Sequence, residues 1–184
     1  ACDGGANYFS KITNVNITGE YTANKALGSG GAIYFGIETN YLNVRGVFIN
    51  NSGFYIIFID KSIENNVIRD SIFLNNNAKN INLDQGDIQL VNNWFGNNAT
   101  NYNVTPDTGS VTPDNWLFLN ATVDPVKFTS STNVTFKLDS YDANTKNVTD
   151  YNNNLIRPIE LTLTSTNATV KNSTHLNETV KYVA

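Results

Sequence analysis

The chain has 184 residues, 40% of them hydrophobic and only 15% charged, with a net charge of −4. Soluble domains ordinarily carry roughly 25% charged residues; here Asn and Thr take their place. Six basic and eight acidic residues fall up to Asn98 and the same numbers beyond it, so no basic stripe marks a nucleic-acid partner, and no apolar run reaches the roughly 18 residues of a membrane-spanning helix.

Chemistry-bearing residues are sparse. The lone Cys2 and lone His175 exclude an internal disulfide and the usual zinc sites. Gly28-Ser29-Gly30-Gly31 is a turn inside a repeat and does not feed a helix as a phosphate loop does. No catalytic residue, cofactor or metal is expected. The carboxylates and cations worth weighing are Asp60, Glu64, Asp70, Asp84 and Asp87 with Arg45 and Arg69. Arg69 and Asp70 are neighbours in an expected strand, which sends them to opposite faces unless a bulge intervenes.

The first hundred residues repeat. Gly4-Gly5-Ala6-Asn7-Tyr8-Phe9 returns as Gly30-Gly31-Ala32-Ile33-Tyr34-Phe35. An aromatic-x-x-Asn element occurs four times, led by Tyr21, Phe48, Phe73 and Phe95 and closed by Asn24, Asn51, Asn76 and Asn98; the aromatics are 27, 25 and 22 residues apart. Short β-branched alternations precede each one (Val15-Asn16-Ile17, Leu42-Asn43-Val44, Val67-Ile68-Arg69, Ile88-Gln89-Leu90) and read as strands. Gly and Asn pairs supply the turns between them. A period near 25 is one coil of a parallel β-solenoid, whose coils bury their inward side chains only by stacking. The repeated aromatics are expected as an interior ladder and the repeated Asn as an amide ladder. The third Gly-Gly-Ala run is missing at Gly53-Phe54-Tyr55, which leaves the register open between 52 and 87.

Asn92-Asn93-Trp94-Phe95-Gly96 marks the boundary, with Trp94 expected as the cap over the end of the stack. Residues 99–115, rich in Asn, Thr, Pro and Gly, read as a linker. From Trp116 onward the pattern is strictly alternating, as in Val134-Thr135-Phe136-Lys137-Leu138 and Ile159-Glu160-Leu161-Thr162-Leu163. This pattern belongs to antiparallel strands with one wet face. The organisation is therefore all-β: parallel β-helix repeats over 1–98, a linker over 99–115, and a sandwich-type module over 116–184, both ends reading as cut.

Asn-x-Ser/Thr acceptor sites for N-glycosylation lie at Asn16, Asn50, Asn103, Asn120, Asn133, Asn147, Asn167, Asn172 and Asn177. Asn98 heads another, but the ladder claims its side chain.

The Gly-Gly-Ala-Ile and Phe-x-x-Asn elements, the Asn/Thr bias and the Asn-Asn-Trp-aromatic-Gly run resemble the large adhesin-like surface proteins of methanogenic archaea. The resemblance implies a right-handed parallel β-helix of about four coils followed by an immunoglobulin-like module, here incomplete. It also implies a secreted or cell-wall location and a non-catalytic role. The partners it implies are glycans or proteins of another cell, or a cell-wall polymer. Two other functions fit this composition: a carbohydrate-active β-helix enzyme of the polysaccharide lyase or hydrolase type, and a carbohydrate-binding module using an exposed aromatic such as Trp94 or Trp116.

Overall fold

A computed structural model describes residues 1–98, 104–106, 110–124, 131–152, 154–159, 169–171 and 179–183. Its strands are β1 (Asn7–Phe9), β2 (Asn16–Thr22), β3 (Ile33–Phe35), β4 (Asn43–Ile49), β5 (Ser52–Arg69), β6 (Ile72–Leu74) and β7 (Asn77–Asn93). They are followed by β8 (Val104–Pro106), β9 (Ser110–Asp124), β10 (Ser131–Asp142), β11 (Val148–Asp150), β12 (Thr169–Lys171) and β13 (Thr179–Val183). Among the described residues there is no helix, and so none long and apolar enough to cross a membrane.

Residues 1–98 form a β-solenoid of about four coils, each with three faces. On the first face Asn7, Ile33, Ile57, Ile81 and Val104 follow one another in parallel register. The second aligns Ile17, Val44, Ile68 and Leu90, and the third Tyr21, Phe48 and Phe73. The segment whose register was open, 52–87, pairs with its neighbours on both sides: Ile57 with Ile33 and with Ile81.

Glycine explains how the first corner turns. Gly4 and Gly30 adopt left-handed backbone, with φ of 64° and 68°. A Cβ on Gly31 would lie 2.6 Å from the Ser52 carbonyl oxygen. In the third coil Gly53 occupies this crowded spot, its backbone facing Gly31. One glycine thus serves where the third Gly-Gly-Ala run was expected. At the corner after each third-face aromatic, Ala23, Asn50 and Asn75 take positive φ, which Asn tolerates better than most residues.

Two cores form among the described residues. The first is the solenoid interior, where Ile33, Phe35, Phe48, Ile57, Ile68 and Leu83 are buried. The second lies on the outer side of the third face, where Val47, Ile72 and Trp94 meet Leu117, Leu138, Leu155 and Ile159. Strand alternation makes this possible: Phe48 and Phe73 point in, so their flanking residues Val47, Ile49, Ile72 and Leu74 point out and need a cover. The chain supplies it by folding back.

β9 makes the transition. Its first part pairs parallel to β7, from Ser110 on Asp87 to Trp116 on Asn93. From Asn115 to Asp124 it pairs antiparallel with β10, and β10 pairs with β11 and β13. The parallel ladder therefore continues through Ser110–Trp116, across the end of the stretch that composition marks as a linker. Pro113 and the shifts on either side of Val91 break the periodicity by which a strand is recognised. Trp94 is placed accordingly. It is 4% exposed and sits in the outer core, on the side of the third face, where the chain covers it; it does not lie across an open end of the stack.

Candidate functional site

The outer surface of the first face carries the most distinctive exposed chemistry. Because Ile33 and Phe35 point inward and are fully buried, the residue between them, Tyr34, points out. Register repeats this over the first three coils, so Tyr8, Tyr34 and Phe58 form an outer row. Tyr8 and Tyr34 stack with centroids 4.9 Å apart and planes within 8°, and Tyr34 and Phe58 at 5.0 Å and 25°. Tyr55 leans on Phe58 at 5.7 Å, with Lys79 Nζ 6.0 Å above the Tyr55 ring, at the outer limit of cation–π attraction. Phe54 and Tyr8 are 68% and 59% exposed.

Ring orientation decides what this row offers. The rings stack on one another along the coil direction, so edges and hydroxyls face outward, while faces are consumed inside the stack; the outer face of Tyr8 remains open. The Tyr34 hydroxyl donates to Asp60 Oδ2 at 3.4 Å. Partial burial, then the charge of Asp60, pushes the Tyr34 phenol up to about 12, so it stays a neutral donor. The row is a fixed line of ring edges and phenol hydroxyls near the carboxylates of Asp60 and Asp3, suited to holding a partner.

Of the other candidate carboxylates, Asp70 is tied elsewhere. Asp70, 4% exposed, accepts from Arg69 Nη1 at 3.2 Å and from the Tyr151 hydroxyl at 2.9 Å. Opposite-face placement of Arg69 and Asp70 does not occur. Asp70 is an extra corner residue with φ 46°, and this bulge swings its side chain onto Arg69. Desolvation, then the hydrogen bond to Asp70, holds the Tyr151 phenol well above the usual tyrosine range. Asp84 and Asp87 lie on β7 around Gly86, whose φ is 106°. Among the described residues no three of His, Cys, Asp and Glu gather in one place. The side chain of Glu64 and all of His175 lie outside the described residues.

The ladder residues come together along the third face. Tyr21, Phe48, Phe73 and Phe95 stack at 5.0, 4.9 and 5.3 Å. Beside them the backbone N–H and side-chain amide of Asn24 both donate to Asn51 Oδ1 at 2.9 Å. The same groups of Asn51 donate to Asn76 Oδ1 at 2.9 and 3.2 Å. Asn98 turns away to β9, donating to the Leu119 carbonyl at 2.8 Å and accepting from the Leu119 N–H at 2.6 Å.

The acceptor asparagines differ in setting. Asn16, Asn50, Asn133 and Asn147 are exposed, whereas the Asn120 amide donates to the buried Asp139 Oδ2 at 2.9 Å. Asn103, Asn167, Asn172 and Asn177 lie outside the described residues. Both tryptophans are buried, Trp116 at 8% exposure against Tyr141, so neither presents a ring to a sugar. Sequence reading missed the outer row of Tyr8, Tyr34 and Phe58, although its signal was present: in the first three coils the middle residue of the Asn7–Phe9, Ile33–Phe35 and Ile57–Ile59 pairs is aromatic. No family model, curated protein or solved structure matches the chain.

Proposed function

We propose that the chain is a non-catalytic, adhesin-like surface protein whose solenoid presents the outer aromatic row as a contact face. On this reading the solenoid is right-handed, the antiparallel strands β9–β13 belong to an immunoglobulin-like module acting as a spacer, and the protein works outside the cell as a glycoprotein. Its partners are glycans or proteins of another cell, or a cell-wall polymer. The observation that carries the proposal is the row Tyr8–Tyr34–Phe58, exposed at Tyr8 and half-buried at Tyr34 and Phe58, repeated at one coil spacing and held by a stack that leaves it little freedom. Pre-ordered side chains lose little entropy on binding, and exposed apolar patches mark interaction surfaces.

In the competing reading, an enzyme acting on polysaccharide, the hydrolase type needs a carboxylate pair over a groove. Asp70 is instead committed to Arg69 and Tyr151. One experiment separates the two. The protein is incubated with a panel of acidic and neutral glycans and with immobilised cell-wall material, and both retention and bond cleavage are followed. Retention that drops in Tyr34→Ala with the fold intact supports a contact face. Release of reducing or unsaturated ends overturns it.

A further inference from the structure

The second face of the solenoid carries an unbalanced pair of charges. Its inward residues Val44 and Ile68 are fully buried and sit beside each other in register. The residues that follow them, Arg45 and Arg69, therefore point outward side by side on successive coils. The outward positions around them, Asn16, Thr18, Asn43 and Gln89, are neutral and exposed or half-buried. Two cations thus adjoin on an open face of a chain whose net charge is −4. Like charges on neighbouring strands repel, so the pair calls for negative charge.

The surroundings meet that need only at Arg69. Its Nε donates to Asn43 Oδ1 at 3.0 Å and its Nη1 to Asp70 Oδ2 at 3.2 Å. Asn43 in turn donates to Asn16 Oδ1 at 3.2 Å, which fixes the carboxamide that anchors Arg69. Arg45 is held by nothing comparable. Among the described residues no carboxylate pairs with it, and its buried Nε–H has no acceptor. Burial and Asp70 raise the Tyr151 phenol, and the charge of Arg45 pulls it the other way, which places Arg45 at the same corner. Two guanidinium groups there share one carboxylate. Buried donors without partners are costly and rare in native structures, where an ion or water commonly satisfies them.

We propose that Arg45 and Arg69 form an oxyanion site on the second face, taking a carboxylate, sulfate or phosphate group that is either free or carried on an acidic polymer. The planar guanidinium fork matches two oxygens of such a group. Arg69 is pre-positioned by Asn43 and Asp70, with its side chain 43% exposed. Arg45 has no bond to break, so it turns toward the anion freely, and the turn offers its stranded Nε–H an acceptor. Asp70 does not fill this place, being buried with one oxygen on Tyr151 and the other on Arg69. The site lies on a different face from the Tyr8–Tyr34–Phe58 row and does not depend on what that row binds.

The test titrates isotope-labelled protein with sodium sulfate and, separately, with an oligogalacturonate, each against sodium chloride at equal ionic strength. The side-chain Nε–H signals of the arginines are followed by NMR. Saturable shifts at Arg45 and Arg69 are expected with at least one probe. Saturation by the oligogalacturonate alone assigns the anion to a polymer, and saturation by sulfate assigns it to a free oxyanion. Arg45→Gln is expected to weaken binding about tenfold or more. Arg45→Lys keeps the charge without the fork and should retain part of the affinity. Because Arg45 makes no hydrogen bond to lose, both variants should keep the parent's unfolding midpoint. Shifts no different from those in chloride with both probes overturn the proposal. Saturation at the Arg69 signal that is as tight in Arg45→Gln and Arg45→Lys as in the parent overturns it equally.

Discussion

Tyr151 donates its hydroxyl to Asp70 Oδ1 at 2.9 Å, joining residues 81 positions apart. Asp70 stands at a solenoid corner, and Tyr151 begins the segment that folds back over the third face. The bond therefore ties the two cores at their polar margin, next to the ion pair with Arg69. Tyr151→Phe keeps the ring and removes the donor, leaving a buried carboxylate one partner short. A loss of about 2 kcal/mol is expected in urea unfolding. The sign with pH follows from the raised phenol. The folded state holds its proton above the ordinary tyrosine value of 10.0, where the unfolded chain releases it, so this stabilisation is complete below pH 10 and fades as pH rises beyond it. Tyr151→Phe should flatten that alkaline decline. An unchanged slope would show that the phenol is not what titrates.

Asn51 is fully buried and serves four hydrogen bonds at once. Asn51→Ala strands the Asn24 N–H and the Tyr21 carbonyl. A cost of about 3 kcal/mol is expected from unsatisfied groups, read as a lower urea midpoint. Asn75→Ala tests the neighbouring position, exposed and left-handed with φ 52°. It should cost only about 1 kcal/mol, for the strained backbone alone.

Two glycines on the solenoid should respond in opposite ways. A Cβ on Gly31 meets the Ser52 carbonyl at 2.6 Å, whereas on Gly19 the nearest atom is Tyr21 Cε2 at 3.9 Å. Gly31→Ala is expected to destabilise by about 2 kcal/mol or more, because backbone must move. Gly19→Ala should be neutral or slightly stabilising, since alanine limits the unfolded chain. Equal effects in thermal unfolding would contradict the close coil spacing at the first corner.

Expression in a host that attaches N-glycans should separate the acceptor asparagines by setting. Asn50 and Asn147 are exposed at a corner and beside a turn, so peptide mass spectrometry should find them occupied. Asn120 should stay bare in folded protein, its amide being held by Asp139. Occupancy at Asn120 equal to that at Asn147 would mean modification precedes formation of the β9–β10 pair.

Much of the solenoid was legible because its physics is local and repeated. The intervals between Tyr21, Phe48 and Phe73 are the same as those between their register partners, and a stacked column requires no less. Two features were hidden. The outer core depends on Val47-Phe48-Ile49 and Ile72-Phe73-Leu74, where three apolar residues in a row mark a strand buried on both faces; inside short repeats such runs look like ordinary strand content. The corner at Asp70 was hidden for a different reason. Residue identity does not announce a left-handed backbone when Asp is common in strand ends and turns alike. The outer aromatic row was readable in principle but was overshadowed by the inward ladder.

The double membership of β9 has a mechanical consequence. A pull applied through β10 reaches the solenoid along β9, whose bonds to β7 by themselves could be peeled one after another from the last coil. The outer core prevents such sequential failure, since Val47, Ile72 and Trp94 sit on successive coils under one cover. Tension is shared by three coils together, so the junction resists as a riveted joint does and not as a zip.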